Sequence, residues 1–291
     1  RRQPRSTLFP YTTLFRSNNT YYSNLYLADL KYNTVSPFTY GENQDSYPIW
    51  SPDGKYILFR SDRNKKKGLW IIPSSGGEAY PLMTEKGYIG EFVWSPDNKT
   101  IAYTFKKVDK HVPASHLSND PNYIPKEDDE NPYDIIEELP YKSKGGAIYP
   151  KNKYHIYLIN RETGEKTQIT EENYNDGTLC FSPDGKKLAF CSNRIEDPLH
   201  NYENSDIYII DIETKELKKI TNQWGPKYGI AWSSDQKSIY FTGHHAPKGH
   251  GGASDLKIYK ISVEGGEDKL ITQNFKGYIG NMLRSEERRV G

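Results

Sequence analysis

The chain has 291 residues, a formal charge of +1, 35% apolar and 13% aromatic residues, and 2 cysteines. That balance lacks the basic excess of a nucleic-acid binder, no apolar run is long enough for a membrane helix, and two cysteines make no disulfide framework. The length suits one large β domain or two ordinary ones, and 24 tyrosines suit pleated, half-buried surfaces.

The two ends differ from the rest. Residues 1–17 and 284–291 hold 7 of the 11 arginines. The strings STLFPYTTLFRS and RSEERRVG read like translated sequencing-adapter DNA. Both tails are expected to be non-native and are set aside; a genuine basic, aromatic arm is the alternative for the first. Without them the charge becomes −4, from 32 basic (39 less 7) against 36 acidic residues (38 less 2). The native start is expected to be missing, so no signal segment is legible, and bacterial cytoplasm and periplasm both stand.

Asn24–Leu30 and Val35–Tyr40 alternate and read as a strand pair. The phrase Trp50-Ser51-Pro52-Asp53-Gly54-Lys55 comes next, between the short runs Tyr47–Trp50 and Tyr56–Arg60. It returns as Trp94-Ser95-Pro96-Asp97-Asn98-Lys99, as Phe181-Ser182-Pro183-Asp184-Gly185-Lys186, and in worn form as Trp232-Ser233-Ser234-Asp235-Gln236-Lys237. Proline presets φ, aspartate bonds the backbone that follows it, and glycine accepts positive φ, so each copy is a hairpin turn. Asn98 is the next-best residue for a left-handed position. Gln236 is not, so the fourth turn is expected to be relaxed or altered, and a left-handed backbone there would mean strain.

Each hairpin is followed by a second: Gly68–Ile72 with Ala79–Thr84, His155–Ile159 with Lys166–Thr170, Asp206–Asp211 with Leu217–Thr221, and Leu256–Ile261 with Lys269–Thr272. Four short antiparallel strands per repeat make a propeller blade. The fold class is therefore all-β, an incomplete β-propeller spanning 18–283. Its blades fall at about 24–40 (partial), 47–84, 88–170, 175–221, 225–272 and 276–283 (partial). The aromatic residue before each turn, Trp50, Trp94, Phe181 or Trp232, is expected to fill the space between blades. Cys180 and Cys191 flank one turn, and packed thiols are preferred to a cross-strand disulfide.

Strand direction separates two faces. The links between first and second strands, and between third and fourth, are tight turns on one face. The links between second and third strands lie on the opposite face, and three of them are long: 106–153, 192–205 and 243–254. Loops of such length in a compact domain carry function or disorder, and three on one face favour function. The insertion Lys106–Lys153 holds Glu127-Asp128-Asp129-Glu130, which lacks the spacing of a calcium loop and reads as a solvated acidic stretch. Asp134–Leu139 reads as a helical turn or an added strand, and Glu137-Glu138 is weighed as a partner for a substrate amine. His244, His245 and His250 fit no zinc template.

The SPDG hairpins, with DIYIID and the TGE-type turns, resemble the propeller repeats shared by TolB-like proteins and the S9 (prolyl oligopeptidase) family of serine peptidases. The stretches DIIEELPYKSKGGAIYPKNKYHIYLINRETGEKTQIT and SNRIEDPLHNYENSDIYIID resemble the acylaminoacyl-peptidase branch. That resemblance implies a two-domain enzyme, with an α/β-hydrolase after the propeller and its nucleophile in a G-x-S-x-G elbow. No such motif occurs here; Gly252-Ala253-Ser254-Asp255-Leu256 lacks the last glycine. The hydrolase domain is expected to be absent, and no residue is assigned a catalytic, cofactor-binding or metal-binding role. The implied partners are that missing hydrolase domain and peptide substrates, with no cofactor and an open oligomeric state. The expected role is to gate substrate access and dock the hydrolase. Its alternatives are a TolB-like interaction propeller without activity, or a free-standing propeller linked to carbohydrate metabolism.

Overall fold

The computed structural model describes residues 8–17, 20–65, 67–107, 153–196, 198, 201, 203–245, 256–273, 275 and 279. The stretches Glu127–Glu130 and Asp134–Leu139, His250 and nearly all of 276–283 lie outside the described residues.

Among the described residues the strands form one three-stranded and four four-stranded antiparallel sheets. The first sheet joins β1 (Leu8–Ser17), β2 (Thr20–Asp29) and β3 (Thr34–Pro37). The second joins β4 (Ser46–Trp50), β5 (Tyr56–Ser61), β6 (Gly68–Pro73) and β7 (Tyr80–Met83). The third joins β8 (Gly87–Trp94), β9 (Thr100–Lys107), β10 (His155–Asn160) and β11 (Lys166–Gln168). The fourth holds β12 (Asp176–Phe181), β13 (Lys187–Ser192), β14 (Asp206–Asp211) and β15 (Leu217–Lys219). The last holds β16 (Lys227–Trp232), β17 (Ser238–Gly243), β18 (Lys257–Ser262) and β19 (Lys269–Leu270). Every sheet is a plain up-and-down meander, so each four-stranded one is a propeller blade.

Leu8–Ser17, set aside above, pairs along its whole length with β2, in the place a second strand takes in the other blades. The pairing does not bear on where those residues come from, since any exposed strand edge is a template for another strand.

The core lies between blades rather than within them. Leu25 and Leu27 meet Ile57, Phe59, Trp70 and Ile72, with Trp50 against them. Leu58, Leu69 and Ile71 meet Trp94, Tyr103 and Tyr157. Ala102, Ile156 and Leu158 meet Phe181, Phe190 and Tyr208. Ile207 and Ile209 meet Trp232, Phe241 and Tyr259. The four aromatic residues before the turns thus pack against the preceding blade, as expected. The Trp232 indole also donates to the Cys180 carbonyl of the blade before it, at 3.2 Å.

The four turns are built alike. The serine hydroxyl donates to the aspartate and accepts the backbone N–H five residues on: Tyr56 at 3.0 Å, Thr100 at 3.1 Å, Lys187 at 2.9 Å and Ser238 at 2.9 Å. The aspartate accepts the N–H of the following lysine, at 2.9 to 3.1 Å. The expectation of an altered fourth turn is corrected here. Gln236 keeps the fold of the others, with φ at 62° beside 71° at Gly54, 63° at Asn98 and 75° at Gly185. The reason is a contact sequence reading missed. Asn98 Oδ1 accepts the Asp53 N–H of the preceding blade at 2.9 Å. With its amide turned to face the carboxylate, Gln236 donates to Asp184 Oδ2 of its own preceding blade at 3.1 Å. That bond offsets the cost of the left-handed backbone.

A second repeated device closes the blades. Thr39, Thr170, Thr221 and Thr272 each accept, on the hydroxyl, the backbone N–H fourteen residues earlier: Leu25, Ile156, Ile207 and Ile258, at 2.9 to 3.0 Å. Thr84 stands at the same offset from Trp70, but the register shifts between Leu69 and Trp70, and no such bond forms.

Candidate functional site

The face opposite the turns is where the blades stop agreeing. Each first strand (β4, β8, β12, β16) carries a bulge near its start, between Ser46 and Ile49, Ile89 and Phe92, Gly177 and Cys180, and Tyr228 and Ala231. At three of them one residue is left-handed: Tyr47 (φ 54°), Thr178 (φ 52°) and Gly229 (φ 51°). A β-branched or bulky residue rarely adopts that backbone, and bulges gather at rims and functional sites, where they re-aim side chains.

Just before each bulge the residues Asp45, Ile89, Asp176 and Lys227 are equivalent by register. In two blades an arginine just past the second strand pairs with a buried carboxylate at this position. Ser61 donates to the fully buried Asp45 at 2.6 Å, Arg63 pairs with the other carboxylate oxygen, and the Arg63 guanidinium lies 5.8 Å from the Phe59 ring. Arg194 donates to Asp176 at 3.0 Å and to Glu172 at 3.2 Å, and covers the stacked rings of Phe190 and Tyr208 at 5.4 and 5.0 Å. Burial pushes the Asp176 carboxyl up, and the Arg194 bond opposes this. Sequence reading missed this pair of clamps. Their signal was present, as Ser61-Asp62-Arg63 and Ser192-Asn193-Arg194 follow the second strand at one spacing.

The last blade reverses the charge. Lys227 is fully buried, donates to the carbonyls of Gln223 and Gly225, the second at 2.8 Å, and lies 3.6 Å from Asp206 of the preceding blade. Burial pulls its amine below the ordinary lysine value. His245 stands where Arg63 and Arg194 stand; it contacts Asp268 at 3.1 Å and stacks on Tyr259 at 4.5 Å. Its neighbour His244 keeps Nδ1 buried without a partner. Among the described residues no group of three or more His, Cys, Asp or Glu could hold a metal ion. Cys180 and Cys191 form no disulfide, and burial pushes the Cys191 thiol up to about 12, which leaves it inert as a nucleophile.

Between the second and third sheets lies a different cluster. The Arg60 guanidinium sits 4.5 Å from the Tyr47 ring and 5.6 Å from the Phe92 ring, and donates across the blade boundary to the Gly90 carbonyl. Gly90 is required there, because a Cβ would stand 2.1 Å from Thr104 Oγ1. Lys106, at the base of the insertion, lies 5.0 Å from the Tyr88 ring and 4.7 Å from the Tyr154 ring. Tyr47 and Tyr88 are 65% and 54% exposed. Burial pulls Arg60 below the ordinary arginine value, while Glu91 nearby acts in the other direction.

Comparison with known proteins places this geometry. Residues 147–290 match the TolB beta propeller domain model. The chain is 29% identical over 183 residues to an uncharacterized peptidase, YuxL, of Bacillus subtilis, covering 62% of this chain and 27% of that protein. It is 22% identical to dipeptidyl-peptidase 5 of Porphyromonas gingivalis, covering 84% of this chain and 43% of that protein. A solved acylaminoacyl peptidase superposes with a TM-score of 0.64 at 18% identity, over 94% of this chain and 41% of that one. The chain therefore spans less than half the length of these relatives.

Proposed function

We propose, for a chain whose residues 147–290 match the TolB beta propeller domain model, that it is the non-catalytic propeller of a serine-type oligopeptidase, gating substrate access and docking the hydrolase domain. The observation that carries this reading is the likeness to peptidases more than twice the chain's span. The division of the blades into a uniform face and a varied one supports it. The turn face holds four copies of one hydrogen-bonded hairpin and offers little to distinguish a ligand. The opposite face carries the bulges, the charge clamps and the roots of the long segments, and is the surface assigned to the hydrolase or its substrate. Gating of this kind is steric and electrostatic: a narrow passage admits short or extended peptides and excludes folded proteins.

The coding sequence beyond residue 283 tests it. A downstream Gly-x-Ser-x-Gly followed by Asp and His is the expected finding, with hydrolysis of peptide anilides by the whole protein and none by residues 18–283. A stop codon soon after the propeller closes would overturn it in favour of a TolB-like contact propeller, the reading the family match alone also fits. A structure of the whole protein with the hydrolase on the turn face would overturn the assignment of surfaces.

A further inference from the structure

Residues 18–283 contain four arginines, Arg60, Arg63, Arg161 and Arg194. Three are paired with carboxylates: Arg63 with Asp45, Arg161 with Glu162, and Arg194 with Asp176 and Glu172. Arg60 is the exception. Among the described residues no carboxylate forms an ion pair with it. The Glu91 carboxylate, which lies nearby, instead accepts the Leu179 N–H at 3.2 Å. Arg60 is held by two rings and one carbonyl, which fix the guanidinium without neutralising it.

The second observation is the backbone beside it. Tyr47, whose ring covers Arg60, is the left-handed residue of the first bulge, and it is mostly exposed. An aromatic residue rarely adopts that conformation and persists in it where the surroundings enforce it. Here the strain turns the ring over the cation. Arginine between aromatic faces is a preorganised acceptor of carboxylates, because its planar donors are oriented before the ligand arrives.

We infer that the Arg60–Tyr47 corner is a binding site for a peptide carboxylate. The ligand lays its carboxylate against the outer donors of Arg60, with Tyr47, Tyr88 and Lys106 along its flank. The inference rests on the proposed function only in taking peptides as the ligands that reach this face. The carboxylate comes from a C-terminus or from an Asp or Glu side chain, and the test separates the two.

The probes are extended tetrapeptides, titrated into the 291-residue chain by calorimetry. One has a free C-terminus and neutral side chains, one an amidated C-terminus and a central glutamate, and one is amidated and neutral. Either carboxylate-bearing peptide is expected to bind at least tenfold more tightly than the neutral one, and the tighter of the two names the source. Arg60→Met should abolish the difference and Arg60→Lys should keep part of it, because lysine retains the charge but not the planar fork. Tyr47→Gly, which relieves the left-handed backbone and removes the ring, should weaken binding severalfold without loss of fold, as read by far-UV circular dichroism. Equal binding of all three peptides, or an unchanged preference in a folded Arg60→Met chain, overturns the inference. A missing downstream hydrolase would leave this outcome untouched, so the two proposals fail separately.

Discussion

The two ends of each blade obey different rules. At the turn end, four sequence copies give four nearly superimposable hydrogen-bond patterns, and even the ill-suited Gln236 is held to the common form. At the other end, one register position carries Asp45, Ile89, Asp176 or Lys227, and the partners change with it. A turn is stabilised by its own few residues, so the same sequence solves it each time. The far end is stabilised by contacts with the next blade and with long connecting segments, so each blade finds its own solution. Uniformity marks the folding device, and divergence marks the surface free to acquire a role.

The largest effect should come from the divergent end. Asp206→Ala leaves the buried Lys227 amine without its carboxylate and should cost about 3–5 kcal/mol, read as a shift in urea midpoint. Adding Lys227→Met should recover much of that loss. If the single variant costs less than about 1 kcal/mol, the charge reversal in this blade carries no structural weight.

The closing threonines give an internal control. Thr221→Val removes the acceptor of the Ile207 N–H and the donor to Asp206 inside the core and should cost about 1–3 kcal/mol, whereas Thr221→Ser keeps the hydroxyl and most of the stability. Thr84→Val should cost well under about 1 kcal/mol, because the register shift beside Trp70 has already removed that bond. Equal costs at both sites would show that the fourteen-residue offset, and not the bond, is what matters.

At the turns the effects are smaller. Gln236→Ala keeps the left-handed backbone and loses the bond to Asp184, so it should be less stable than the parent by about 0.5–1 kcal/mol. Gln236→Gly relieves the backbone and should lie at or above the parent. The reverse order would break the account of how the fourth turn is held.

The smallest effect is in the pH dependence. The hydrogen bond from Ser182 holds the Asp184 carboxyl below its ordinary value. A carboxylate lowered in the folded state adds stability that is complete above its unfolded value, about pH 4, and is lost as pH falls through the folded value. Ser182→Ala should therefore flatten the fall in urea midpoint below pH 4. An unchanged acid limb would mean that the serine does not set the carboxylate.

Much of the fold was readable because its signals are local. Alternation marked the strands, the SPDG phrase marked the hairpins, and the repeat spacing grouped them into blades. The tight-turn face followed from strand direction alone. The site was less readable because its pairs are distant in sequence. Asp45 lies eighteen residues from Arg63, and Asp53 is tied to Asn98 across forty-five. The repeated Ser-x-Arg was visible as letters, but its carboxylate partner sits in another strand. Arg60 carried no motif at all; only the third dimension shows a cation held between rings with no carboxylate ion-paired to it among the described residues.

The sequence by itself determined the blades, because each needs only hairpins that fold from neighbouring residues and a Trp or Phe placed to meet the blade before. It determined which end of the blades is plain. Tertiary structure alone decided how the worn fourth turn is kept in shape, which arginines are neutralised, and why Thr84 does not do what Thr221 does. Those outcomes depend on contacts between blades, and such contacts leave no periodicity for a single sequence to display.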